Sequence, residues 1–366
     1  MKKICVTGSD GLIGWHFRVF ASTMDDIEIV PCNRQQFADD EYLQKAVSES
    51  DVVVHFAGMN RGEEDDIFKT NIALAQRIVD ACVQTGSKPH VLYSSSTHID
   101  GPTRYGESKR LAGEVFDAWS HETGGQFTNF VLPHVFGEHG KPFYNSVVST
   151  FCHQVATGET PSIKGDGDLN LLHAGDVAKV FWQAIKDSQL GMLRPAGRPL
   201  KVSQLLELVN RMADRYREGT VPNLDDDFEL QMFNTFRSYI PHEKRPQDLT
   251  VHSDDRGWLF EAIRSDGQGQ TFLSTTKPGI TRGNHFHLHK VERFLVVEGK
   301  AKIRLRKIGS DDVYTFEVNG ENPQAIDIPT LHTHNISNVG DGPLLTLFWS
   351  AELFDPENPD TYYVEV

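Results

Sequence analysis

Three glycines spaced three apart near the start of the chain constrain this sequence more than any other feature. Gly8, Gly11 and Gly14 follow the apolar, β-branched run 4–7 and open an amphipathic stretch over 12–22. Glycine at such positions permits a tight turn, lets backbone approach a pyrophosphate and lets the following helix pack closely against the strand. The helix N-terminus then offers free N–H groups and the positive end of its dipole to an anion. This strand–turn–helix context predicts dinucleotide binding by Gly8, Asp10, Gly11, Leu12, Ile13 and Gly14.

The same unit recurs. Short apolar runs at 27–32, 52–57, 90–94 and 128–133 alternate with helical periodicity over 41–48, 67–85 and 105–123. Near-continuous apolar strands separated by helices imply a parallel sheet covered on both faces, so the fold class is a Rossmann-type, doubly wound α/β sheet. Helical patterns over 145–157, 177–188 and 202–218 suit a substrate lobe. Residues 217–246 carry Pro222, Pro241, Pro246 and the acidic run Asp225, Asp226 and Asp227, with apolar Phe228, Met232, Phe233 and Phe236. That mixture predicts a linker that partly docks. Beyond it, closely spaced strands at 271–275, 293–297, 301–306, 314–318, 325–328 and 344–349 predict an all-β barrel or jelly roll. The expected domains are therefore 1–245 and 246–366.

A net charge of −15 argues against a nucleic-acid partner and against anionic membrane surfaces. Met1-Lys2-Lys3 runs into Ile4-Cys5-Val6 without a secretory leader, and no apolar run approaches the ~20 residues of a spanning helix. A cytoplasmic protein without membrane insertion is expected. Cys5, Cys32, Cys82 and Cys152 fit neither a metal nor a disulfide spacing, so they read as small buried hydrophobes.

Dinucleotide enzymes that use NAD commonly end the second strand with a carboxylate for the ribose 2′-hydroxyl. This chain has Cys32-Asn33-Arg34 there, so Arg34 can pair with a 2′-phosphate and NADPH is favoured. Tyr105 and Lys109 stand at i and i+4, on one helix face. A free phenol ionises near ~10, and a neighbouring ammonium is expected to lower that. The hydroxyls of Ser94, Ser95, Ser96 and Thr97 end the preceding strand.

In the second half, His285 and His287 share strand parity, Glu292 leads into the next strand, and His332 and His334 follow Pro329. Two imidazoles, a carboxylate and a distant imidazole suit a divalent metal such as zinc, iron, manganese or nickel. His289 shares the parity of the first pair and is a replacement ligand.

The N-terminal motifs resemble those of the extended short-chain dehydrogenase/reductases that act on sugar nucleotides. The matching pieces are the loop at 7–14, Asp51-Val52-Val53-Val54-His55-Phe56-Ala57-Gly58, Asn71, Tyr93-Ser94-Ser95-Ser96, Tyr105 to Lys109, and the stretches 132–137 and 172–177. The resemblance implies that Ser96, Tyr105 and Lys109 are catalytic, with Thr97 the runner-up to Ser96. It also implies that Phe56, Ala57 and Gly58 line the cofactor site and that Asn71 organises active-site backbone. Pro133 or His134 stands where the family usually has Arg.

His285-x-His287-x4-Glu292, then Pro329-x4-His334-x3-Asn338, resembles the two-part cupin signature. It implies His285, His287, Glu292 and His334 as metal ligands and leaves His332 outside. Residues 254–261 resemble the entry segment of sugar-nucleotide 3,5-epimerases, with His287, His289 and Lys277 left as candidate bases. The chain as a whole resembles the family of bifunctional capsular-polysaccharide enzymes that join an extended reductase to a zinc cupin. That resemblance implies a homodimer acting on a UDP-sugar substrate. The cupin would epimerise C3 of a UDP-4-keto-6-deoxy-N-acetylhexosamine. The reductase would then reduce C4 with NADPH, giving UDP-N-acetyl-6-deoxy-L-talosamine on the route to UDP-N-acetyl-L-fucosamine. Two rival readings stand beside it: a reductase carrying a non-catalytic, sugar-binding or dimerising cupin, and a non-enzymatic NADPH sensor. The Tyr105/Lys109 pair argues against the sensor. Substrate contacts are expected in the loops near Lys141, Tyr144, Asn145, Lys201 and Arg245.

Overall fold

The structure, a computed structural model, describes residues 1–255 and 257–366; Arg256, in the stretch compared with 3,5-epimerases, lies outside the described residues. The chain folds into two compact units. The first is Met1–Thr150 with Gly165–Val202, and the second is Phe151–Lys164 with Ser203–Val366.

In the first unit, strands and helices alternate as β1 Lys2–Thr7, α1 Leu12–Ala21, β2 Ile27–Cys32, α2 Arg34–Ala38, α3 Asp40–Ser48, β3 Val52–His55, α4 Glu64–Thr85 and β4 His90–Ser96. After a 3₁₀ turn at Thr97–Asp100 come α5 Arg104–Thr123, β5 Phe127–Leu132, β6 His134–Phe136, α6 Val147–Thr157 (which crosses the boundary between units), β7 Asp168–His173, α7 Ala174–Asp187, β8 Gly191–Leu193 and β9 Arg198–Lys201. Six strands form one parallel sheet in the order β2-β1-β3-β4-β5-β8. Successive strand residues point to opposite faces. Cys5, Val53, Val91 and Tyr93 therefore meet Leu43, Ile78, Phe116 and Trp119 on one side. Ile4, Val6, Val52, Val54 and Leu92 meet Phe17, Phe181 and Ile185 on the other. Burial on both faces is why these strands read as unbroken apolar runs. Pro31 is tolerated because β2 is an edge strand. All four cysteines are buried and unpaired.

The second unit contains α8 Val202–Arg217, β10 Thr220–Val221, α9 Asp227–Ser238, β11 Pro246–Asp248, β12 His252–Asp254, β13 Gly257–Leu259, β14 Arg264–Ser265 and β15 Gln270–Thr276. There follow β16 Thr281–Phe286, β17 Glu292–Glu298, β18 Lys300–Lys307, β19 Val313–Asn319, β20 Gln324–Ile328, β21 His332–Asn338, β22 Leu344–Ser350 and β23 Tyr362–Tyr363. Two antiparallel five-stranded sheets, β11-β20-β17-β22-β15 and β19-β18-β21-β16-β23, carry the unit. They share a core in which Phe294, Ile326 and Leu344 of one sheet pack with Ile303, Leu305 and Ile336 of the other.

The stretch expected to be a partly docked linker contains a packed helix instead. Asp226 caps α9 by accepting from Glu229 N at 3.0 Å, and Asp227 and Glu229 sit in its first turn. The acidic run is thus a helix start, where negative charge meets the positive dipole end. Met232, Phe233 and Phe236 are its buried face.

A buried polar network ties these helices to the strands. Arg293 grips Asp327 with Nε at 2.7 Å and Nη2 at 3.0 Å, and its Nη2 also reaches Gln247 at 2.8 Å. Tyr216 of α8 donates to the same carboxylate at 2.5 Å. No described helix is long and apolar enough to cross a membrane.

Candidate active site and metal centre

At the glycine loop, Gly8 has φ +65°, and a Cβ there would sit 2.7 Å from Ala57 N. A Cβ on Gly14 would lie 2.3 Å from Gly8 O, so the loop closes only around bare backbone. Gly11 N donates to Gly8 O at 3.0 Å, and Gly11 caps α1 without a side-chain bond, leaving the helix N-terminus open to a ligand. The loop is anchored to the end of β2 through Gly8 N to Cys32 O at 2.9 Å. Asn33 is engaged as the cap of α2, accepting from Gln35 N and Gln36 N, and Arg34 begins that helix with its side chain exposed.

Asn71 joins three segments of backbone. Its Oδ1 accepts from Met59 N at 2.7 Å, and its Nδ2 donates to Met59 O at 2.9 Å and to Ser108 Oγ at 3.0 Å. Ser108 in turn donates to Tyr105 O at 2.7 Å. The loop after β3, with Gly58, is thereby fixed against the first turns of α5. A Cβ on Gly58 would lie 3.3 Å from Asn71 Oδ1 and 3.6 Å from Lys109 Nζ.

Lys109 is buried, its Nζ 4.5 Å from the centre of the Tyr93 ring. Burial lowers its pKa to about 7. Tyr105 differs from expectation: burial raises the phenol, and the opposing pull comes from its hydrogen bond with Ser96, not from Lys109. Of the strand-end hydroxyls, Ser94 donates to His55 O at 3.0 Å and is buried, whereas Ser96 is the one that acts on the Tyr105 phenol, lowering it against burial.

Beside β6 a buried carboxylate is held by two imidazoles. Glu138 Oε2 lies 2.9 Å from His173 Nε2 and 3.8 Å from His16 Nε2. Burial pushes this carboxyl up, yet His173 and His16 outweigh it and bring it to about 2. His134, which with Pro133 is one of the two candidates for the position of the usual Arg, is half-buried and bonded to Ser146 at 3.2 Å. Of the residues expected near the sugar, Lys141 and Tyr144 form one cluster, with the Lys141 ammonium 5.3 Å from the Tyr144 ring. Arg61, which no sequence signal marks, donates to Tyr144 O at 2.8 Å. Asn145 is exposed beside them. Lys201 instead pairs with Asp168 at 3.1 Å, and Arg245 is buried in the second unit, donating to Arg237 O.

In the second unit His285, His287, Glu292 and His334 converge, with one ligand atom from each lying within 4.8 Å of the others. His287 follows the end of β16, Glu292 begins β17 and His334 lies within β21. His287 Nε2 is 2.8 Å and His334 Nε2 3.5 Å from Glu292 Oε2. Burial raises the Glu292 carboxyl, but the two imidazoles hold it well below the usual range. His287 Nδ1 bonds to Asp360 O and His334 Nδ1 to His332 O at 3.4 Å, which turns both Nε2 atoms inward. His334 Nε2 is buried without a hydrogen-bond partner. Three imidazoles, one carboxylate and an orphaned buried nitrogen fit a divalent cation of the zinc class.

His332 lies outside this group; its Nδ1 bonds to Thr330 O at 2.9 Å, and burial lowers it to about 3. His289 also lies outside, half-exposed, with Nδ1 3.1 Å from Asp360 Oδ2. Asp360 itself accepts from the backbone N–H groups of Leu288, His289 and Lys290. Lys277 is exposed.

Residues 4–192 match the family model described as the NAD dependent epimerase/dehydratase family, and residues 252–362 match the polysaccharide biosynthesis C-terminal domain. The chain is 30% identical to the UDP-2-acetamido-2,6-beta-L-arabino-hexul-4-ose reductase of Pseudomonas aeruginosa, covering 100% of this chain and 99% of that one. It is 28% identical to the spore coat polysaccharide biosynthesis protein SpsL of Bacillus subtilis over 31% of this chain and 81% of that one. Among solved structures, it is similar to the capsular polysaccharide assembling protein CapF of Staphylococcus aureus, with 31% identity, a TM-score of 0.65, and coverage of 99% of this chain and 100% of that one.

Proposed function

Because the chain belongs to the NAD dependent epimerase/dehydratase family and matches CapF along its length, we propose that it is a two-step, UDP-sugar-modifying enzyme of capsular-type polysaccharide synthesis. Its second unit epimerises C3 of a UDP-4-keto-6-deoxy-N-acetylhexosamine. Its first unit reduces the C4 ketone with NADPH to UDP-N-acetyl-6-deoxy-L-talosamine, on the route to UDP-N-acetyl-L-fucosamine. The observation that carries this reading is the Tyr105–Lys109 pair on α5, with Ser96 acting on the Tyr105 phenol and Lys109 beside Gly58 of the loop after β3. The same reading has the chain act in the cytoplasm as a homodimer.

The nicotinamide, when bound, supplies the hydride. Ser96 and Tyr105 hold the ketone oxygen between two hydroxyls, and Tyr105 releases its proton to that oxygen as negative charge develops there. Lys109, at i+4 from Tyr105 on α5, would hold the nicotinamide ribose with its ammonium. Asn71 keeps the Gly58–Met59 backbone in place against α5. Arg34 meets the 2′-phosphate.

His285, His287, Glu292 and His334 hold the metal, which when bound supplies Lewis acidity next to the sugar carbonyl. His287 Nδ1 is bonded to Asp360 O, which turns its Nε2 to the metal site, so it serves as ligand and not as base. His289, oriented by Asp360, takes the C3 proton.

The test uses the full chain with candidate UDP-4-keto sugars. In heavy water without NADPH, deuterium should enter at C3, and a His334→Ala variant should lose both this exchange and its bound metal. With NADPH, NMR should show the talo product, and Tyr105→Phe should slow NADPH oxidation by about 10²–10⁴ while leaving deuterium exchange intact. Exchange-free, metal-loaded protein overturns the epimerase step. Unchanged reduction by Tyr105→Phe overturns the reductase mechanism.

A further inference from the structure

The reductase reading leaves one need unmet: Tyr105 must regain a proton before the next turnover. Lys109, the usual neighbour to look to, is sealed away from solvent. A second line of groups does reach the surface. Ser96, at the end of β4, is half-buried, and its hydroxyl opposes the effect of burial on the Tyr105 phenol. Its Oγ is 3.0 Å from His98 Nδ1 and also accepts from His98 N at 3.3 Å. The His98 ring packs edge-on to the Tyr105 ring, 5.5 Å between centres, and the residue is exposed. Solvent, imidazole, hydroxyl and phenol thus stand in sequence.

This placement is built into the turn that carries it. His98 O lies where a Cβ on Gly106 would be, 2.0 Å away, so the 3₁₀ turn is seated directly on the first turn of α5, which only glycine allows. At the far end of the turn, Arg194 clamps Asp100 with Nη1 at 2.7 Å and Nη2 at 3.0 Å. The turn is therefore tied both to the helix carrying Tyr105 and to the segment between β8 and β9. His134 faces the same region: after burial, the charge of His98 is what lowers it further.

We propose that His98 is a positioning residue that acts through Ser96 and relays a proton from solvent to Tyr105 between turnovers, an inference that rests on the reductase reading above. The steps balance. Tyr105 loses its phenolic proton to the ketone-derived oxygen as the carbonyl is reduced and NADPH oxidised. The tyrosinate then takes the Ser96 hydroxyl proton, Ser96 Oγ takes the Nδ1 proton of His98, His98 Nε2 takes one from water, and proton exchange of the exposed ring with water returns it to the Nδ1–H form. The net consumption is one solvent proton per sugar reduced, and no other oxidant or reductant enters.

His98→Ala and His98→Gln in the full chain test it, with NADPH and the UDP-4-keto sugar that the wild type reduces. The relay acts after hydride transfer. Both variants should therefore keep a full first turnover of NADPH oxidation in stopped flow, then run about 10–100-fold slower in steady state, with KM little changed. Imidazole added to the buffer should restore His98→Ala. Gln, which keeps a polar group beside Ser96 but carries no exchangeable ring proton, should stay slow. Wild-type steady-state rates in His98→Ala, full activity in His98→Gln, or no response to imidazole would each overturn the relay. A wild-type chain that oxidises no NADPH with any 4-keto sugar overturns the reductase reading itself, which is a different result.

Discussion

Replacing Glu138 by Gln removes a charge from the most enclosed ion cluster of the first unit while preserving its shape. The carboxylate is 1% exposed, bonded to His173 at 2.9 Å and flanked by His16 at 3.8 Å. It ionises at about 2 in place of the usual 4.5, because the two imidazoles outweigh burial. At about 1.4 kcal/mol per tenfold change in proton affinity, that gap corresponds to about 3 kcal/mol favouring the folded state. A depressed carboxyl contributes its stability in full above its unfolded pKa and loses it as pH falls through the folded one. The loss in Glu138→Gln should therefore be about 2–3 kcal/mol at pH 7. It should shrink between pH 4.5 and 2 as the wild-type carboxyl itself becomes neutral. Hydrogen exchange of first-unit amides, compared between the two proteins at pH 7 and pH 3, reads this directly, since a 366-residue chain does not unfold in one step. A loss under about 0.5 kcal/mol at pH 7, or an equal loss at both pH values, would refute the reasoning.

Two further outcomes follow from the packing. Gly14→Ala places a methyl 2.3 Å from Gly8 O and should weaken NADPH binding by about tenfold or more, seen in fluorescence titration, with C3 deuterium exchange untouched. Asp327→Ala strands the buried Arg293 and should destabilise the second unit by about 3–5 kcal/mol in chemical denaturation, whereas Arg293→Met with Asp327→Leu should recover most of that.

Much of the fold was legible because its signals are local. Alternation of fully apolar strands with helical periodicity gave the parallel sheet, and the glycine loop could be placed because its turn, strand and helix are contiguous. The α9 helix was not legible: Asp225, Asp226 and Asp227 between prolines look like linker chemistry, and only the tertiary seat of Met232, Phe233 and Phe236 makes them a helix start. In the candidate sites, residues carried by motif spacing converge, as His285, His287, Glu292 and His334 do. Their supports come from afar. Asp360 orients His287 and His289 from about seventy residues downstream, and the Asn71–Ser108 bond joins two helices with no shared pattern. Tyr105 shows the other limit: an i,i+4 spacing places Lys109 on its face but says nothing of how deeply either is buried.

The Tyr216–Asp327–Arg293 network separates two lengths of chain that look alike in sequence. The segment recognisable as a transferable module spans 252–362, yet the carboxylate at its centre is satisfied in part from α8 and its cation in part from Gln247, both upstream of that span. A gene fragment cut at the module's edge would deliver a buried guanidinium–carboxylate pair stripped of its phenol and amide. A graft of this metal centre that carried α8 and Gln247 along with 252–362 would bring the pair with all of these partners.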